Sequence, residues 1–179
     1  MSDPQIIQSS VFSDSRGFFS EVLKDFQFRQ INMSLSHPNV FRGIHAQRGM
    51  DKAMWVSHGE ATVFAVNLDP KSLLFGKAVS LKMKAGDGKV FYAPWWWGRG
   101  FLTHTESTIV YATTDIYRPE HEIAINYEGI KDVQDLINPS YAIISDKDLK
   151  AIKLTDSDTP RFLADWKRAG DEIFSEPQD

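Results

Sequence analysis

TVFAVNL, residues 62–68, is apolar along nearly its whole length. Successive side chains on a strand point to opposite faces, so Val63 and Ala65 share one side while Phe64, Val66 and Leu68 share the other. A strand with two apolar faces has no side to show to water, and it is expected to lie buried between two sheets. Short apolar or alternating runs recur on both sides of it: QIIQSSVF (5–12), KAVSLKM (77–83), GKVFYAP (88–94) and STIVYATTDIY (107–117). Turn formers separate them, as in SDSRG (13–17), SHG (57–59), LDPKS (68–72) and KAGDG (84–88). In STIVYATTDIY the alternation puts Ile109, Tyr111, Thr113 and Asp115 on one face. Many short strands at this spacing predict an all-β sandwich or jelly roll.

Helix is predicted in three places. EVLKDFQFRQ (21–30) reads as a short helix between strands; KDVQDLI (131–137) and DTPRFLADWKRAGDEIF (158–174), with Pro160 near the start, read as helices near the C-terminus. The 179 residues suit one domain, 1–179, in which 131–179 forms a packed helical extension and the terminal SEPQD frays.

Composition narrows the function classes. Twenty basic and 24 acidic residues are well mixed and give a formal charge of −4, which argues against a nucleic-acid partner. The absence of cysteine excludes disulfides, thiolate metal sites and cysteine nucleophiles. No apolar run approaches the roughly 20 residues that span a bilayer, and MSDPQIIQSS lacks the basic start and apolar stretch of a signal peptide. A soluble, cytoplasmic protein without a membrane partner is expected.

The five histidines, His37, His45, His58, His104 and His121, show no HxH spacing and no adjacent carboxylate that would complete a metal-ligand set, so no metal is expected. There is no GxSxG elbow and no glycine-rich phosphate loop. Acid–base chemistry on a small anion is left, with His45 in FRGIHAQ (41–47), Tyr111, Lys52 and several arginines as its parts. Singly, each has an ordinary structural reading: a strand histidine or tyrosine packs and finds one hydrogen bond, and a lysine is solvated. Arg42 and His45 are three apart, so an ideal strand would point them to opposite faces. Both reach one pocket only if Gly43 permits a bulge.

Six segments in order carry a family resemblance: SDSRGFFSE (13–21), FRQINMSLS (28–36), FRGIHAQ (41–47), DKAMWVSHGE (51–60), TIVYATTDIYRPEHE (108–122) and IISDKD (143–148). Together they resemble the dTDP-4-dehydrorhamnose 3,5-epimerase family, the cupin-type nucleotide-sugar epimerases. The resemblance implies a cupin-like double-stranded β-helix (jelly roll) with short, mainly C-terminal helices. It implies a homodimer, no cofactor, and a nucleotide-diphosphate 4-keto-6-deoxysugar as substrate, epimerised at C3, C5 or both. It further implies that His45 is the base, that Asp148 holds its other ring nitrogen, that Tyr111 returns a proton on the opposite face, and that Lys52 stabilises the enolate. Arg16, Phe19, Glu21, Gln30, Asn32 and Arg42 would line the nucleotide and diphosphate pocket, with the RGFF segment reaching it from the neighbouring subunit.

The chemistry suits such a set. A 4-ketone acidifies the C3 and C5 protons, positioned general bases contribute about 10²–10⁴-fold, and inversion needs a donor on the other face because a single base regenerates substrate. Nearby competitors are a 3,4-ketoisomerase of similar fold and a non-catalytic sugar-nucleotide-binding cupin.

Departures from the family pattern are concentrated in one loop. APWWWGRGF (93–101) places Arg99 where the family has a histidine, and Val63 stands where it has an aspartate. Arg99 is expected to stabilise the enolate or bind an additional sugar oxygen, unless it merely points to solvent. Three successive tryptophans on a strand cannot all face inward, so at least one is expected to line a pocket or an interface. The family's W-N-D becomes Asn126-Tyr127-Glu128.

Overall fold

The computed structural model describes residues 3–175. The strands run, in chain order, β1 (Gln5–Gln8), β2 (Val11–Asp14), β3 (Gly17–Ser20), β4 (Gln30–Ser36), β5 (Val40–Gln47), β6 (Lys52–His58), β7 (Glu60–Asn67), β8 (Ala78–Lys84), β9 (Lys89–Ala93), β10 (Trp97–Thr103), β11 (Ser107–Thr113), β12 (Glu122–Ala124) and β13 (Ile143–Ile144). Helices α1 (Lys131–Gln134), α2 (Asp146–Leu149) and α3 (Thr159–Ser175) are confined to the C-terminal part.

One sheet has the order β1-β9-β6-β11-β4; the other runs β12-β5-β10-β7-β8, with β13 added parallel to β5. The two sheets face each other across an apolar interior, the cupin-like jelly roll that the strand spacing leads one to expect. The hairpin β2-β3 stands apart as a separate two-stranded arm.

The opening run becomes β7, in the second sheet between β10 and β8. Its Ala61, Val63 and Ala65 face the first sheet, packing with Met54, Val56, Phe91 and Ile109. Its Phe64 and Val66, continued by Leu68, face outward. That outward face is covered not by a third sheet but by the C-terminal segments, through Ile130, Val133, Leu163 and Trp166. At ~1.5–3 kcal/mol per large apolar side chain buried, this second cluster contributes substantially to stability and explains why the C-terminal extension is packed.

Two local expectations are corrected. Residues 21–29 contain no helix. Asp25 adopts φ 55°, incompatible with a continuing right-handed helix, and Phe26 and Phe28 stack on each other at 6.5 Å with Phe26 edge-on to Tyr92 at 6.0 Å. Trp95 and Trp96 occupy a turn and Trp97 opens β10, so the run escapes strict alternation. Trp95 packs on Trp166 in the outer cluster, Trp97 lies in the inner one, and Trp96 touches both. None of them lines the main cavity. The expected fraying of SEPQD concerns, from residue 176 onward, positions outside the described residues.

Candidate active site

A cavity of about 510 Å³ opens between the sheets, within the range that small-molecule sites occupy. Among the residues that line it are Arg42 and His45 from β5, Lys52 and Met54 from β6, Tyr111 from β11, Ser34 from β4, Arg99 from β10, and Lys147 and Asp148 from α2.

The bulge required by the Arg42–His45 spacing is present. Arg99 pairs with His45 and Phe101 with Arg42, so Gly43 and Ile44 together oppose Gly100. Gly43 has φ 132°, and a Cβ built on it would stand 2.8 Å from the Gly100 Cα. Only glycine fits here. The extra residue restores the inward direction of position 45: Phe41, Ile44 and Ala46 pack in the outer cluster while Arg42 and His45 line the cavity.

His45 Nε2 lies 2.7 Å from Asp148 Oδ1, joining residues 103 apart in sequence. Asp148 is held in turn by α2, where the Ser145 hydroxyl caps the helix by accepting from the Asp148 amide at 3.2 Å. Burial opposes ionisation of Asp148, but the hydrogen bond and charge of His45, then Ser145 and the Gly43 amide, keep its carboxyl below the usual range. Asp148 is therefore an anion that fixes the ring and can stabilise an imidazolium. The same glycine that turns His45 inward supports its carboxylate partner.

Lys52 lies with its Nζ 5.4 Å from the centre of the Tyr111 ring. Its ammonium is pushed down to about 7, by burial first and the facing charge of Arg99 second, with Glu122 acting in the opposite direction. Because the folded value lies below the unfolded one, the unfolded chain holds the extra proton between about pH 7 and about 10.5, and stability through this group rises with pH across that window. Lys52→Met is expected to remove that slope and to stabilise the protein by about 1–3 kcal/mol at pH 7, at ~2–4 °C of Tm per kcal/mol, while impairing turnover. Thermal melts from pH 6 to pH 10 measure both effects.

Arg99 is 3 % exposed, which rules out the solvent-facing reading. Its terminal nitrogens are engaged by the main chain: Nη1 donates to the carbonyls of Pro94, Trp95 and Trp97 at 3.0–3.2 Å, and Nη2 to that of Met50 at 3.1 Å, while its buried Nε has no partner among the described residues. Val63 is fully buried among apolar groups, and the carboxylates whose charge acts on Arg99 are Asp51 first and Glu122 second.

The other sequence candidates fall into two groups. Arg42 donates from Nε to the Ser36 hydroxyl at 3.0 Å and lines the cavity. Gln30 and Asn32 lie on β4 on the same side as cavity-lining Ser34, hydrogen-bonded to each other at 2.7 Å, but do not line the cavity. Arg16, Phe19 and Glu21 do not line it. Arg16 is paired with Asp14 at 2.5 Å on the β2-β3 arm, Phe19 is 63 % exposed, and Glu21 pairs with Lys24 at 2.6 Å.

Two residues at the rim were not singled out from the sequence. Lys147, which lines the cavity, donates to Glu122 Oε1 at 2.6 Å, and Glu122 also takes a hydrogen bond from Tyr117. Burial opposes the ionisation of Glu122, yet these two bonds and the nearby His45 keep it below its ordinary range. Both sit inside quoted segments, Glu122 ending one and Lys147 next to Asp148, so the signal was present.

The sequence profile described as dTDP-4-dehydrorhamnose 3,5-epimerase matches residues 1–156. The curated enzyme of that name from Escherichia coli (strain K12) is 32% identical over 166 residues, covering 85% of this chain and 90% of its own. The crystal structure of the Sulfolobus tokodaii enzyme of the same name superposes with a TM-score of 0.75 at 32% identity, covering 84% of this chain and 90% of that one. A dTDP-6-deoxy-D-glucose-3,5-epimerase from Legionella pneumophila Philadelphia 1, solved in complex with dTDP-4-keto-L-rhamnose, gives 0.75 at 30% identity, with coverage of 87% and 91%. With the profile matched over residues 1–156, about 30% identity to named relatives along most of both chains, and the shared fold, the chain belongs to the dTDP-4-dehydrorhamnose 3,5-epimerase family of nucleotide-sugar isomerases.

Proposed function

We propose that this protein epimerises C3, C5 or both of a nucleotide-diphosphate-linked 4-keto-6-deoxyhexose by removing and returning a proton through an enolate. The observation that carries the reading is that the carboxylate-backed His45 imidazole and Tyr111 line one cavity. His45 takes the proton next to the ketone, and Asp148 stabilises the imidazolium that results. Lys52, in its ammonium form, donates to the oxygen on which the charge collects, an arrangement worth a few kcal/mol in a dry site. Tyr111 delivers a proton to the other face. Arg42 and Lys147 supply positive charge for the diphosphate. No step requires a metal or a redox cofactor. The 4-keto sugar bound by the Legionella relative supports the substrate class.

Incubation with dTDP- and other nucleotide-linked 4-keto-6-deoxysugars in D₂O tests this. Deuterium is expected at C3, C5 or both. Ligand binding without exchange at any pH would instead identify a silent binding protein, and movement of the ketone a 3,4-ketoisomerase.

The protein acts as a homodimer in this reading, in which Arg16, Phe19 and Glu21 complete the partner's cavity. Two apolar surfaces support it. Phe12 and Phe19 stack at 6.3 Å on the exposed arm, and Ile31, Met33 and Leu35 stand exposed on the outer face of β4, Met33 by 73 %. Such patches mark interaction surfaces. Mixing a His45→Ala variant with an Arg16→Ala variant should recover up to about a quarter of wild-type activity, because half of the dimers are mixed and each holds one intact site. No recovery after verified subunit exchange would contradict the shared site. The nucleotide-sugar substrate and the absence of cysteine support a cytoplasmic location.

A further inference from the structure

Arg99 gathers two chain segments that the chemistry above does not use. Its guanidinium binds three carbonyls of the tryptophan turn and that of Met50. Asp51 ties the same segments together, accepting from the Trp95 amide at 2.9 Å and from the Tyr92 hydroxyl at 2.5 Å. Met50 and Asp51 lead directly into β6, whose first residue is Lys52, and Lys52 is in register with Ala93 just ahead of the turn. A guanidinium committed to four carbonyls cannot swing to a ligand without breaking them. It can fix the chain and project a permanent charge.

We infer that Arg99 is a positioning residue for Lys52, holding the tryptophan turn and the chain entering β6 so that the lysine amine is set in the cavity with a fixed positive charge facing it. This rests on the epimerase reading only for its consequence: an ammonium acidified toward neutrality donates a stronger hydrogen bond to an enolate oxygen, because donor and acceptor lie closer in proton affinity. The groups around Lys52 are Arg99 on β10, which disfavours its charge, Glu122 on β12, which favours it, and the Tyr111 ring on β11. His45 on β5 and Lys147 and Asp148 on α2 share the cavity. Burial is the larger influence and Arg99 the second, so neutralising Arg99 reverses part of the shift.

The test is a pH titration of the full chain carrying ¹³Cε-labelled lysine, with the Lys52 signal assigned by its loss in Lys52→Met. In the wild type its midpoint is expected at about 7. Arg99→Gln, which keeps donors for the carbonyls, and Arg99→Met should each raise it by about one unit, whereas Arg99→Lys should keep it low. The alkaline limb of kcat/KM should move with the midpoint. A wild-type midpoint near 10, or an unchanged midpoint in either folded neutral variant, would overturn the inference. The titration needs no turnover, so its failure is separate from failure of the epimerase reading, which the D₂O incubation decides.

Discussion

His45→Ala is expected to abolish deuterium exchange at both C3 and C5, with a loss between about 10² and 10⁴-fold, the contribution of a positioned general base. Both carbons flank one ketone, and in the proposed mechanism a single imidazole serves whichever of them is deprotonated. The structure gives the loss a definite origin. Removing the ring leaves Asp148 buried at 4 % exposure without its 2.7 Å partner, so the anion that should stabilise an imidazolium has nothing to stabilise. Asp148 then either takes up a proton more readily or draws in water, and in neither state does it stand where His45 stood. Stability should fall modestly, since a lost charge-assisted hydrogen bond is worth about 1.5–3 kcal/mol, and ligand affinity should fall far less than exchange. Exchange rates by NMR beside calorimetric ligand binding check this directly. Residual exchange at one carbon at the wild-type rate would mean that a different base serves it.

Gly43→Ala carries the second large effect. Position 43 has φ 132°, and the added methyl would stand 2.8 Å from Gly100 Cα and 3.0 Å from the Arg99 carbonyl oxygen, both backbone atoms that cannot swing aside. Strain of about 1–3 kcal/mol from the backbone and a similar cost from crowding predict a loss of about 2–6 kcal/mol, detectable as a fall in the urea midpoint. Activity should fall beyond what stability explains. If β5 relieves the clash by losing its extra residue, every side chain on one flank of the bulge changes face, and Arg42 and His45 no longer share the cavity. A variant with wild-type stability and full exchange would show that the bulge does not position the pair.

How much of this could be read from residues depends on the range of the interaction. β7 was legible because two-faced apolarity is a local pattern, although it did not show that helices and not a third sheet would cover Phe64 and Val66. The bulge was legible as a condition, from the three-residue spacing around a glycine. The His45–Asp148 pair joins positions 103 apart, and no local pattern links them; the family resemblance alone did so. The anchoring of Arg99 was not legible because its partners are four main-chain carbonyls, which leave no mark in a sequence. The tryptophan run was misread for a related reason: the turn at Pro94 ends the alternation assumed for a strand, and Trp95 and Trp97 go to different clusters. The helix expected at 21–30 failed on Asp25, whose positive φ permits no helical continuation.

The most direct test of two-faced proton transfer follows Tyr111→Phe with a 4-keto-6-deoxysugar substrate in D₂O, recording deuterium uptake and the inverted product in one NMR time course. Uptake should persist while inversion falls at least about tenfold, because His45 still lifts and returns protons on its own face. Equal loss of uptake and inversion would contradict the assignment of the two residues to opposite faces of the ring.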